Sequence, residues 1–165
     1  MTCRILLDAS AEETLTVGEE LAWQLGAQLH EIATPEPAPG RRAALRRGVS
    51  TLLTRKRGPD LFVPDQPWHK SDLMVLGTPA LGSHIAPALR HWLETQPRLP
   101  ARVAFLCTSE EERFPDEVFS EMERLTGRDP VAQLHLSETE IETENWGEKI
   151  HHFLDRCVLR HRHSA

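Results

Sequence analysis

Apolar positions along this chain follow two alternating rhythms. Short unbroken runs, Ile5 to Leu7, Leu73 to Leu76 and Val103 to Cys107, give way to stretches where apolar residues recur three or four apart. An unbroken apolar run suits a strand buried on both faces, whereas the wider spacing lays one stripe along a helix. The first run predicts a strand at Arg4 to Leu7. Val17, Leu21 and Leu25 predict a helix over Thr14 to Leu25, ended by Gly26. Gln28 to Ile32 reads as a short second strand. The segment ATPEPAPG, with three prolines and a glycine, is a loop. A basic helix follows from about Arg41 to Lys56, then a proline-rich connection over residues 58–70.

In the second half, a third strand, Leu73 to Leu76, is expected to stop at Gly77-Thr78-Pro79. A loop, Thr78 to His84, leads into a helix whose buried face carries Ile85, Leu89, Trp92 and Leu93, at i, i+4, i+7 and i+8. Arg102 to Cys107 is a fourth strand. Val118, Met122 and Leu125 mark a helix stopped at Gly127, and Val131 to Leu136 is a fifth strand. Trp146, Ile150, Phe153, Leu154 and Cys157 line a C-terminal helix. Strands alternating with helices predict an α/β fold, a five-stranded parallel sheet covered on both faces. Residues 1–159 form one domain and residues 160–165 a frayed tail.

Composition narrows the function. At 165 residues the chain is long enough for a full core, and 39% hydrophobic with 27% charged residues suits a globular protein. A net charge of -6 argues against nucleic acid as a partner. No apolar run reaches the roughly 20 residues of a membrane span, and MTCRILLDAS is unlike a signal peptide. Cys3, Cys107 and Cys157 fall on predicted apolar faces, which fits buried free thiols in a reducing, cytoplasmic compartment. No GxSxG, P-loop or CxxC motif is present, and His151, His152, His161 and His163 have no metal-ligand spacing.

The segments LGAQLHEI, GTPALGSHIAPALRHWL, RVAFLCTS and MERLTGRDPVAQLHL, with the Gly/Arg-rich second helix, resemble the flavodoxin-like family over nearly the whole chain. The resemblance implies a three-layer sandwich with strand order 2-1-3-4-5. It also implies flavin mononucleotide (FMN) at the carboxyl ends of strands 1, 3 and 4. The site residues it carries over are Ser10 and Thr14 for the phosphate, and Thr78, Pro79, Ala80, Leu81, Gly82, Thr108 and Ser109 for the ring.

All three ligand loops depart from the family's pattern. The first, DASAEET, stands where relatives resemble SxTGNT; Thr14 matches, Ser10 is one place off, and Glu12 and Glu13 replace the glycine and asparagine. Each carboxylate at about 5 Å from a phosphate would cost about tenfold in affinity after screening. The same two side chains suit a helix N-terminus and could occupy the anion site themselves. In the second loop, Leu81 replaces the aromatic of a GTPxWxG-like pattern, and His84 is either a proton donor near the ring or simply a polar residue at a helix start. In the third, Glu110, Glu111 and Glu112 replace a glycine pair; this is either an anionic wall or a solvated loop.

The altered loops predict weak FMN binding and a non-redox interaction or regulatory role. The alternative is an FMN-dependent electron-transfer protein or oxidoreductase. Arg41, Arg42, Arg46, Arg47, Arg55, Lys56 and Arg57 form a basic segment that could dock an acidic partner or remain a solvated face. A homodimer is open.

Overall fold

Residues 1–32 and 66–159 are described by the structure, a computed structural model. The expected proline-rich loop, the basic helix, most of the following connection and the C-terminal tail lie outside these residues.

The apolar runs become the central strands. β1 is Cys3–Asp8, β2 is Gln28–Ile32, β3 is Leu73–Leu81, β4 is His84–Ile85, β5 is Val103–Ser109 and β6 is Gln133–Ser137. Five of them form a parallel sheet in the order β2-β1-β3-β5-β6, the expected 2-1-3-4-5 when parallel strands alone are counted. The register places Ile5 beside Val75, Leu76 beside Phe105 and Leu106 beside Leu134. β4 adds an antiparallel two-residue extension to β3.

Alternation along the strands sends successive side chains to opposite faces. Ile5, Leu7, Val75, Leu106 and Leu136 pack on one side with α1 (Glu12–Leu25) and the C-terminal helix α5 (Gly147–Leu159), through Val17, Leu21, Ile150, Phe153 and Cys157. Leu6, Met74, Leu76, Phe105 and Cys107 pack on the other with α2 (Pro87–Glu94) and α3 (Asp116–Thr126), through Leu89, Trp92, Val118, Phe119 and Met122. The three-layer architecture follows. Among the described residues no helix is long and apolar enough to cross a membrane.

Two differences from the sequence reading bear on the site. β3 does not stop at Gly77-Thr78-Pro79; Thr78 and Pro79 continue the ladder opposite Cys107 and Thr108, and Ala80 and Leu81 pair with β4. The reversal comes at Gly82, whose φ of 61° is the left-handed conformation glycine favours. Gly77 serves another purpose: a Cβ there would strike the Leu7 side chain, as would one on Gly18 of α1. Ile85 is buried, but on β4 rather than on the helix, which begins at Pro87.

A short helix absent from the sequence reading, α4 (Glu138–Glu142), follows β6 directly. Ser137 and Glu140 form a reciprocal capping box, and Lys149 closes on Glu140 at 2.6 Å.

Candidate functional site

Chains that run parallel leave their loops at one edge, and that edge holds the candidate site. A cleft of about 460 Å³ opens between the β3–β4 hairpin (Ala80 to Ser83) and residues Ser109 to Val118. This volume lies in the range of small-molecule sites.

Each wall is anchored from behind. Ala86 donates its N–H to Thr78 Oγ1 at 2.9 Å, fastening the base of the hairpin to the start of α2. Glu121 of α3, nearly buried, accepts from the Ile85 N–H at 3.1 Å and pairs with Arg90 at 2.7 Å and His84 at 3.4 Å. On the opposite wall, Phe114 stacks on buried Phe119 with centroids 4.9 Å apart and meets the edge of His135 at 6.0 Å. Leu81 is 53% and Phe114 42% exposed, so the cleft has an aliphatic and an aromatic wall.

Of the residues assigned to the ring, Ala80, Leu81, Gly82 and Ser109 line the cleft. Thr78, Pro79 and Thr108 lie in the buried ladder beneath it. The Thr78 hydroxyl is engaged with the Pro79 carbonyl and the Ala86 N–H. Ser109 Oγ donates to the Glu111 carbonyl at 2.7 Å, so His135 Nε2, also at 2.7 Å, is its donor. Burial and nearby Lys149 lower the His135 pKa, which keeps the ring neutral.

The residues assigned to the phosphate are spent differently. Thr14 Oγ1 and Thr108 Oγ1 are 2.6 Å apart, and both side chains are buried. Their hydroxyls bond each other. The Ser10 side chain is exposed, but its N–H donates to Oδ1 of buried Asp8 at 3.1 Å. Glu12 and Glu13 occupy the first turn of α1, where the macrodipole favours them.

Carboxylates from separate elements act on one another electrostatically here. Partial desolvation raises the Glu138 pKa, and the charges of Glu13, Glu110 and Glu142 raise it further. Among the described residues lining the cleft are Glu110, Glu111 and Glu117 and one guanidinium, Arg113, which lies 4.0 Å from Glu117. The phosphate of FMN carries nearly two negative charges, which carboxylates near it would oppose.

Sequence reasoning missed Asp8, Phe114, Glu121 and His135. Glu121 had a readable signal: it sits among Val118, Met122 and Leu125 on the apolar side of its helix. Phe114 is an aromatic just before the Pro115 helix entry. Asp8 and His135 gave no signal, because their roles depend on contacts between separate segments. Among the described residues, no group of three metal-capable side chains occurs.

No protein-family profile and no curated protein matches the chain. Solved structures do. A flavoprotein from Lactobacillus acidophilus NCFM, solved in complex with FMN, is 16% identical, with 88% of this chain and 97% of that chain covered at a TM-score of 0.64. The apo-form of the flavoprotein from the same organism gives 17% identity, 86% and 95% coverage, and a TM-score of 0.58. A candidate flavoprotein from Bacteroides uniformis ATCC 8492 gives 15%, 90% and 98%, and 0.62. With strand order, helix layers and structural neighbours in agreement, the chain has the flavodoxin-type α/β fold of these flavoproteins.

Proposed function

We propose that this chain is a flavodoxin-fold binding module that holds FMN weakly and works as an interaction or regulatory protein rather than an electron carrier. The observation that carries this reading is the state of the phosphate end. Its threonine hydroxyl is bonded to Thr108, its Ser10 N–H to Asp8, and the charges of Glu13 and Glu110 both act on Glu138. The FMN complex of the Lactobacillus flavoprotein makes the flavin the natural probe. The stretch of sequence we assign to a partner is the basic segment Arg41 to Arg57, whose charge suits an acidic protein. Three buried free cysteines favour a reducing, cytoplasmic setting.

The test is FMN titration of the natural chain and of Glu12→Gly with Glu13→Asn, at about 0.15 M salt. The natural chain is expected to bind no tighter than about 100 μM, and the variant, with both carboxylates gone, up to about a hundredfold more tightly. Micromolar or tighter binding by the natural chain would instead favour the FMN-dependent electron-transfer reading. A folded variant with no gain would remove the electrostatic explanation.

A further inference from the structure

We propose that the cleft between the β3–β4 hairpin and residues 109–118 selects an uncharged planar heteroaromatic ring lacking a phosphate, so that riboflavin binds in preference to FMN. The inference rests on the proposed function and deepens it by naming the ligand class. It joins two observations that are independent of each other.

The first concerns what the cleft attracts. Phe114 is an exposed aromatic whose position is fixed before any ligand arrives, by stacking on Phe119 and by the edge contact with His135. His135 in turn donates to Ser109, whose hydroxyl holds the Glu111 carbonyl, so the loop carrying the ring is tied down on both sides. Opposite it, Leu81 projects from a hairpin anchored through Thr78 and Glu121. A pinned aromatic and an aliphatic side chain lining one cleft recognise a flat ring at little ordering cost.

The second concerns what the site rejects. Among the described residues, the cleft lining presents Glu110, Glu111 and Glu117 against one guanidinium, Arg113. Glu13 and Glu138 add negative charge next to Glu110. Two groups that could offset an anion, the Thr14 hydroxyl and the Ser10 N–H, already have partners in Thr108 and Asp8. Removing the phosphate from FMN therefore removes a repulsion.

The experiment is a pair of equilibrium titrations of the full chain, FMN and riboflavin, followed by flavin fluorescence at about 0.15 M salt. Riboflavin is expected to bind at least about tenfold more tightly than FMN. Riboflavin without saturable binding to about 1 mM, with FMN equally weak, would overturn the ring-cleft inference and leave the weak-FMN reading standing. Equal or tighter FMN binding would overturn the selection, and FMN in the micromolar range would overturn both. Two variants separate the causes. Glu110→Gln is expected to strengthen FMN severalfold and leave riboflavin unchanged. Phe114→Leu, which keeps apolar volume but loses the ring, is expected to weaken both flavins about fivefold. An unchanged riboflavin affinity in folded Phe114→Leu would refute the aromatic wall.

Discussion

Thr14→Val and Thr108→Val probe the point where the first helix meets the end of β5. The two hydroxyls lie 2.6 Å apart with both side chains buried, and each is the other's hydrogen-bond partner. Valine keeps the shape and removes the oxygen. A single substitution strands the remaining hydroxyl without its partner, at a cost of about 1–3 kcal/mol. Replacing both removes donor and acceptor together and is expected to cost less than about 1 kcal/mol. The coupling from a double-mutant cycle should therefore exceed about 1 kcal/mol. Urea unfolding of the four proteins reads it directly, and each single variant should lose roughly 2–9 °C in Tm. Because these hydroxyls face each other, Thr14→Val should leave FMN affinity unchanged within about twofold. Additive losses would refute the buried pair. An FMN affinity that drops severalfold in Thr14→Val would show that this hydroxyl serves the phosphate after all.

Two further outcomes follow from packing and charge. Gly18→Ala and Gly77→Ala each place a methyl against the Leu7 side chain, which is fully buried and hemmed in by both glycines, so each should destabilise the fold by about 1–3 kcal/mol in chemical unfolding. His135 and His30 have pKa values lowered by burial, so the unfolded chain binds more protons than the folded one below the ordinary histidine value of 6.5. The urea midpoint should fall as pH drops from about 7.5 to 5.5, and His135→Gln should flatten that slope; a midpoint that rises on acidification would contradict the buried neutral ring.

The parallel sheet was legible because its strands are buried on both faces, so Leu73 to Leu76 and Val103 to Cys107 appear as unbroken apolar runs. Helix stops at Gly26 and Gly127 were equally readable, since both adopt the positive φ that a glycine there announces. Gly77 misled for a physical reason. A glycine marks a turn only where the backbone needs its freedom, and at Gly77 the requirement is room for Leu7. The true turn, Gly82, lies five residues on. α4 was missed although Ser137 and Glu140 form an S-x-x-E signature, because the helix is only five residues long and shows no apolar stripe.

The chemistry of the candidate site was half legible. Acidic replacements at Glu12, Glu13 and Glu110 could be read in the chain, but the coupling of Glu13 and Glu110 to Glu138 required the sheet to bring their loops to one edge. The fate of the hydroxyls was hidden altogether. Thr14 looks like a ligand contact in isolation, and only the packing of α1 against β5 shows its partner to be Thr108, 94 residues away.

The measurement that tests the central claim most directly is the sign of the salt dependence of FMN binding. Repulsion between the phosphate and the acidic edge is screened by ions, so FMN affinity should rise between about 0.02 and 0.5 M salt while riboflavin affinity stays nearly constant. An FMN affinity that falls as salt is added would show a phosphate held by net attraction, and would contradict the account.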